Sequence, residues 1–183
     1  MIVVLLTLFV IALALLLLSL RALSSTGVPV RASSPEAIDA ALDLLALRDG
    51  ERLVDLGCGF GRALRAAHRR ADVECLGIEL NPFAAAGAWV LRSRRTRVRW
   101  GDFRHADLKE FQAVFCYLMP RFLERNADWL EKALAPGTRV AAVDFPVPGW
   151  TPETVRLVGP LRQPIRLYVI GRHRHPPPES QGL

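Results

Sequence analysis

The segment from residue 53 to residue 61, LVDLGCGFG, most constrains what this chain can fold into. A short apolar strand runs directly into three alternating glycines, Gly57, Gly59 and Gly61, and a helix-forming segment begins at Arg62. Because glycine has no Cβ, the backbone of such a strand–loop–helix unit can approach a bound ligand closely. The dinucleotide fingerprint G-x-G-x-x-G would need its third glycine at position 62. The spacing therefore argues against a nicotinamide dinucleotide site.

Apolar periodicity predicts that strands and helices alternate along most of the chain. Helices are predicted from a capping box of Ser33 and Glu36 to about residue 47, then at 62–70, 82–94 and 121–134; strands are predicted at 52–56, 73–79, 97–100, 111–118 and 138–145. Two more strands, 155–158 and 165–170, form a closing antiparallel pair. The expected fold class is α/β, a Rossmann-like seven-stranded sheet with helices on both faces.

The first 20 residues carry no charge and are almost all large apolar residues or alanine. As a helix they would span about 30 Å, the thickness of the hydrocarbon core of a bilayer. A cleaved signal peptide is the alternative, but no basic residue precedes the run. We therefore expect a single-pass transmembrane helix. Because Arg21 and Arg31 follow it, the rest of the chain should face the cytoplasm.

Composition divides the chain into four parts. We expect a transmembrane anchor at 1–21, a linker at 22–33, a ligand-binding domain at 34–171 and a disordered, proline-rich tail at 172–183.

Acidic residues end the first three strands of the predicted sheet. Asp55 lies on the first strand, just ahead of the glycine loop, Glu79 ends the second and Asp102 ends the third. In a doubly wound sheet, ligands bind outside these carboxyl ends. Glu79 could accept hydrogen bonds from ribose hydroxyls, and Asp102 could accept one from an adenine amino group. Each alone is better explained as a polar strand end, but together, in order after the glycine loop, they predict that the chain binds S-adenosylmethionine.

These features resemble the class I S-adenosylmethionine-dependent methyltransferases, over roughly residues 50–171. The resemblance implies a seven-stranded sheet with a final antiparallel hairpin. It also implies that S-adenosyl-L-methionine contacts a set of residues on the first three strand ends: Asp55, Gly57, Cys58, Gly59, Gly61, Glu79, Leu80, Asn81, Asp102 and Phe103.

A narrower resemblance is to the membrane-anchored protein-lysine methyltransferases that modify the ATP synthase c-subunit and the adenine nucleotide translocase. It rests on several short segments: Val28-Pro-Val, Val54-Asp-Leu-Gly, Gly61-Arg62, Gly77-Ile-Glu-Leu-Asn-Pro-Phe83, Pro120 and Phe145-Pro-Val-Pro-Gly-Trp-Thr-Pro152. The resemblance implies a lysine acceptor in a membrane protein. This chain departs from the family pattern at Cys58 and Phe60 in the glycine loop, and at Asp144, where the family has arginine.

Methyl transfer to lysine requires a neutral amine, which a partly apolar slot favours by lowering the pKa of the ammonium. We expect that slot beyond the fourth strand, at Tyr117 and Pro120, and under Pro146 and Trp150. Tyr117 is the candidate catalytic residue because its hydroxyl or ring could orient the amine. Packing roles for Tyr117 and Trp150 are equally compatible with the sequence. A small-molecule or lipid acceptor, and a non-catalytic cofactor-binding module, are the alternative functions.

The remaining reactive and charged residues favour no other chemistry. The three cysteines, Cys58, Cys75 and Cys116, form no C-x-x-C pair and suit buried positions in a reducing compartment, and the histidines show no metal-ligand spacing. The net charge of +6 and a cluster of five arginines between 92 and 99 suit a nucleic acid, an anionic lipid surface or a solvated face. No Asn-Pro-Pro-Tyr-type tetrapeptide follows the fourth strand, so we expect no nucleic acid partner.

Overall fold

The computed structural model describes residues 2–26 and 33–173, with the side chains of 2–17 and 33–173. Its helices are α1 (Ile2–Thr26), α2 (Pro35–Leu45), α3 (Arg62–Ala67), α4 (Pro82–Val90) and α5 (Pro120–Ala133), with a 3-10 turn at Phe103–His105. Its strands are β1 (Arg52–Leu56), β2 (Glu74–Glu79), β3 (Thr96–Trp100), β4 (Ala113–Cys116), β5 (Arg139–Val143), β6 (Thr154–Val158) and β7 (Gln163–Val169).

All seven strands form one sheet in the order β3-β2-β1-β4-β5-β7-β6. The first five strands are parallel, whereas β7 runs antiparallel to both β5 and β6. The strand order reverses between β1 and β4, so a ligand site is expected at their carboxyl ends. The predicted α/β fold, including its antiparallel closing pair, is confirmed.

Helices cover both faces of the sheet. On one face α2, α3 and α4 contribute Leu42, Leu64 and Ala88 to a buried cluster. On the other face α5 contributes Leu123 and Leu130 to a second cluster. The central strands β1, β4 and β5 are buried from both sides, which accounts for their mainly apolar sequences, whereas the edge strand β3 is mostly exposed.

Several element boundaries differ from the sequence-based expectation. The cap of α2 is Ser34, not Ser33, because the Ser34 side chain accepts the backbone N–H of Ala37 at 3.1 Å. The same helix ends at Leu45, where Ala46 takes a left-handed conformation with φ of 46°. Helices α3 and α4 also end three to four residues before the predicted positions, at Ala67 and Val90.

Helix α1 contains the residues predicted to span a membrane, and its backbone contacts α4. Its side chains are described as far as Leu17, and nearly all of them are exposed. Among the residues so described, no helix is long and apolar enough to cross a bilayer. The predicted linker is helical as far as Thr26, and the Val28-Pro-Val segment lies outside the described residues.

The domain extends further toward the C-terminus than predicted. His173, assigned from the sequence to a disordered tail, is buried, and its carbonyl accepts the backbone N–H of Thr151 at 2.6 Å. The ring of His173 packs on Trp150, with the centroids 4.4 Å apart. A histidine beside a proline run gives no local signal of burial, because its packing partner lies more than twenty positions earlier. The predicted tail from 174 to 183 lies outside the described residues.

Candidate active site

The glycine loop takes the backbone shape that its sequence predicts. Gly57, Gly59 and Gly61 all have positive φ, at 83°, 52° and 73°, a region that residues with a Cβ rarely adopt. Nothing lies within 4 Å of the position that a Cβ would take at Gly59, so the loop presents open backbone there. The loop is anchored to the neighbouring strand, because the N–H groups of Gly57 and Cys58 both donate to the carbonyl of Ile78.

Glu79 ties the end of β2 to the glycine loop. One carboxylate oxygen accepts the backbone N–H of Gly59 at 2.8 Å, and the other accepts the backbone N–H of Asn81 at 2.8 Å. The Asn81 side chain in turn caps α4 by accepting the N–H groups of Phe83 and Ala84. The carboxylate predicted to bind ribose therefore also fixes the loop that a nucleoside would approach.

Asp55 lies close to Glu79 and is almost completely buried, with 2% of its surface exposed. Burial, and secondarily the charge of Glu79, raise the pKa of Asp55 to about 8. A ligand with positive charge bound beside these two carboxyl groups would offset the cost of ionising Asp55. S-adenosylmethionine carries a sulfonium and an ammonium, so the residues at this strand end fit it.

At the end of β3 the structure shows a contact that the sequence did not suggest. The carboxylate of Asp102 is held by the guanidinium of Arg104, with an ion pair of 2.6 Å. This hydrogen bond, more than any other interaction, lowers the pKa of Asp102. Phe103 turns its ring away toward α5, where it packs on Phe122 and Trp129. An adenine amino group at Asp102 would therefore share the carboxylate with Arg104.

The second half of the site lies where β4 and β5 end side by side. The Tyr117 hydroxyl donates a hydrogen bond to the Asp144 carboxylate, and the Tyr117 ring stacks on Phe145 with centroids 6.3 Å apart. Asp144 has a φ of 66°, and its carbonyl accepts a hydrogen bond from Arg166 at 2.6 Å. The fold therefore places a tyrosine–carboxylate pair at the position where the sequence predicts an acceptor slot.

The two halves of the site are adjacent. In the pairing of β1 with β4, Leu56 lies opposite Cys116, so the glycine loop and Tyr117 leave the same edge of the sheet. Cδ2 of Leu118 is 3.9 Å from the position that a Cβ would take at Gly57. A methyl group held at the loop and an amine held at Tyr117 would thus meet at the junction of β1 and β4.

The proline-containing segment after Asp144 is held against the core by contacts with Tyr168. Trp150 is only 6% exposed and packs edge-to-face on Tyr168 at 5.5 Å, which favours the packing alternative for its ring. The Tyr168 hydroxyl accepts the backbone N–H of Val147 at 3.2 Å. Pro146 lies in this segment and is exposed, and Pro120 begins α5 next to the predicted slot.

Two glycines outside the loop, Gly77 and Gly87, also shape the site. A Cβ at Gly77 would lie 2.6 Å from Cδ1 of Leu64 and 2.7 Å from Sγ of Cys58. A Cβ at Gly87 would lie 2.5 Å from the ring of Phe60. Their signal is an isolated glycine inside a strand or helix pattern, which indicates close approach of another chain segment.

The three cysteines are buried, as predicted. Burial is also the main reason that their thiol pKa values are raised above the usual range, so these groups stay protonated at neutral pH. Within residues 2–26 and 33–173, no group of three histidine, cysteine or acidic side chains is placed to hold a metal ion.

Comparison with known proteins agrees with this geometry. Residues 55–154 match the family model described as the ANTKMT methyltransferase domain. A protein-lysine N-methyltransferase of Saccharolobus islandicus is 30% identical over 155 residues, which cover 80% of this chain and 96% of that protein. The adenine nucleotide translocase lysine N-methyltransferase of Mus musculus is 34% identical over 133 residues, 70% of this chain but only 58% of that protein.

Among solved structures, an RNA methyltransferase from Salinibacter ruber, in complex with S-adenosyl-L-homocysteine, superimposes with a TM-score of 0.70. It is 26% identical to this chain, and the match covers 84% of this chain and 100% of that one. The resemblance to lysine methyltransferases and the S-adenosylmethionine cofactor are thus confirmed. This chain belongs to the ANTKMT methyltransferase domain family and is an S-adenosylmethionine-dependent methyltransferase.

Proposed function

We propose that this enzyme methylates a lysine side chain of a protein substrate, and that it works while tethered to a membrane with its catalytic domain on the cytoplasmic side. The observation that carries the lysine assignment is the Tyr117–Asp144 pair beside the glycine loop. The names of its relatives in Saccharolobus islandicus and Mus musculus, both lysine N-methyltransferases, support the same acceptor.

S-adenosylmethionine supplies a methyl group that is already activated by its sulfonium. The protein therefore has to bring the acceptor nitrogen into line with the methyl, about 3 Å away, and keep it unprotonated. A carboxylate at Asp144 attracts a lysine ammonium and can accept its proton before attack. As the new N–C bond forms, the S–C bond breaks and the electron pair stays on sulfur.

The walls of the slot serve the same requirement. Tyr117 and Phe145 stack their rings there, so an amine beside them would lie against apolar surfaces that disfavour its charged form. The hydrogen bond from Tyr117 fixes the Asp144 carboxylate, and the hydrogen bond from Arg166 fixes its backbone. Asp144 stands where the family resemblance leads us to expect arginine, which suits a substrate segment with its own positive charge.

Membrane tethering is supported by α1. The first 20 residues of the chain carry no charge, nearly all of the described side chains of this helix are exposed, and Arg21 and Arg31 follow the uncharged stretch. Positive charge after an apolar span favours the cytoplasm for the part of the chain that follows. A tether of this kind limits the enzyme to substrates at or in the same membrane.

The test uses purified full-length enzyme, S-adenosylmethionine labelled on the methyl group, and membranes from a host strain that lacks the enzyme. We expect the label in a membrane protein, with mass spectrometry placing it on lysine. Label in the lipid or small-molecule fraction would overturn the protein-lysine assignment. If calorimetry shows S-adenosylmethionine binding but no acceptor fraction takes up label, the non-catalytic alternative is favoured. Recovery of full-length enzyme from cells in the aqueous fraction would overturn the tether.

A further inference from the structure

The outward face of α4 is apolar and exposed. Phe83, Ala86 and Val90 lie on one side of this helix, at the spacing of i, i+3 and i+7, and Trp89 flanks them. The exposed fraction is 54% for Trp89 and 71% for Val90. Helix α4 contains no charged residue, although it lies on the surface. A surface helix normally turns polar residues outward, so this face is unusual for a surface that meets only water.

Arginines follow the apolar face in sequence, and no acidic residue lies among them. Between residues 80 and 101 the chain has five arginines and no acidic residue. Arg95 pairs with Asp72 at 2.6 Å. Arg92 stacks its guanidinium over the Trp89 ring, 4.0 Å from the centroid. Among the described residues, Arg92 and Arg94 have no acidic partner within ion-pair distance.

The order of residues here is typical of segments that lie in the membrane interface: the apolar residues Trp89, Val90 and Leu91 are followed by the arginines. There the apolar side chains enter the boundary between headgroups and acyl chains, and the basic groups face anionic headgroups. The apolar helix α1 contacts α4, so a tether formed by α1 would keep α4 close to the bilayer.

We propose that the outer face of α4, with Leu91, Arg92 and Arg94, is a docking surface for an anionic lipid bilayer. This inference rests on the membrane tethering proposed above. Docking through α4 would hold the domain in one orientation on the membrane. The tether by itself would only keep the domain nearby. Binding at this surface should require both acidic lipid headgroups and access to the acyl region of the bilayer.

The test places the full chain in vesicles of phosphatidylcholine brominated in the upper acyl chain, with or without phosphatidylglycerol. Bromine quenches tryptophan fluorescence by contact, and Trp89→Phe removes the reporter while keeping an aromatic side chain. We expect Trp89→Phe to remove most of the quenched emission in vesicles that contain phosphatidylglycerol. Trp129→Phe, on the opposite face of the sheet, is the matched control and should leave the quenched emission unchanged.

Charge is tested separately with Arg92→Gln/Arg94→Gln, compared with Arg121→Gln/Arg125→Gln on α5. The first pair should lower quenching in phosphatidylglycerol vesicles to the level seen without that lipid, and the second pair should not.

Flotation of the vesicles reports the tether independently. If the protein floats but Trp89 is not quenched, the docking surface is refuted while the tether stands. If the protein does not float, the tether itself is refuted. Binding of labelled single-stranded RNA that is lost in Arg92→Gln/Arg94→Gln would assign the arginines to nucleic acid and overturn the lipid proposal.

Discussion

The carboxylate of Glu79 and the backbone N–H of Gly59 are joined by a hydrogen bond of 2.8 Å between the end of β2 and the glycine loop. The bond links positions twenty residues apart at the edge where the cofactor is expected. A change at Glu79 therefore alters the shape of the loop as well as the predicted contact with the ligand.

We therefore expect Glu79→Ala to weaken S-adenosylmethionine binding roughly 10- to 100-fold, the effect of losing a charged hydrogen-bond acceptor. Glu79→Gln keeps one acceptor oxygen and should lose less. Calorimetry with the purified variants measures both. The control is Glu74→Gln, at the exposed start of the same strand. Equal affinity in Glu79→Ala and wild type would contradict the assigned role.

Asp55 should make the ligand-free enzyme less stable as the pH rises. Its pKa is 3.8 in the unfolded chain and about 8 in the folded one, so the folded state binds its proton more tightly. The stabilising contribution is complete below pH 3.8 and is lost as the pH rises through about 8. Asp55→Asn stays neutral at every pH. Its melting temperature should exceed that of wild type at pH 8 and approach it near pH 4.

The exposed carboxylate Asp107 provides the control for this measurement. Asp107→Asn should show the same pH dependence of the melting temperature as wild type. If Asp55→Asn also follows the wild-type curve, the buried carboxyl of Asp55 does not carry the proton that the linkage requires.

The Tyr117–Asp144 pair predicts a defect in catalysis that leaves cofactor binding intact. Tyr117→Phe removes the hydrogen bond but keeps the ring, and should lower kcat/KM about tenfold, or about 1.4 kcal/mol. Tyr117→Ala and Asp144→Asn should lower it further, and the double variant Tyr117→Phe/Asp144→Asn less than additively. Methyl transfer to the acceptor measures the rate, and calorimetry measures cofactor affinity. A wild-type rate in Tyr117→Ala would remove this residue from the site.

Gly77→Ala should destabilise the fold by about 1–3 kcal/mol, because the new methyl overlaps both Leu64 and Cys58. Denaturant unfolding checks the value. Combining the change with Leu64→Val, which shortens one of the overlapping groups, should cost less than the sum of the two single changes. Strict additivity would mean that the overlap at Gly77 is relieved without any movement of Leu64.

The local half of the site could be predicted from sequence, because its signals lie within a few residues of each other. Strand β1 has its predicted bounds, and Gly57, Gly59 and Gly61 take the positive φ that their spacing indicates. The ion pair of Asp102 with Arg104 was not foreseen, since an arginine two positions away is common on any basic surface.

Contacts between distant segments could not be predicted in the same way. Tyr117 and Asp144 are separated by 27 residues, and only the pairing of β4 with β5 brings them together. Taken in isolation, Tyr117 is equally compatible with a packing role, and the sequence slightly favours a polar strand end over an acceptor contact for Asp144. Burial of Trp150 likewise depends on Tyr168 and His173, which follow it along the chain.

The position of β7 between β5 and β6 has a consequence for how the enzyme matures. The part of the chain that forms the cofactor side of the site, from β1 to Asp102, is continuous in sequence and leaves the ribosome early. The acceptor wall waits for the last strand, because Arg166 and Tyr168 of β7 hold the segment at 144–147. A nascent chain that ends after β5 therefore has the glycine loop but lacks the fixed segment at 144–147 that we propose positions the amine. The ability to bind the donor precedes the ability to use it.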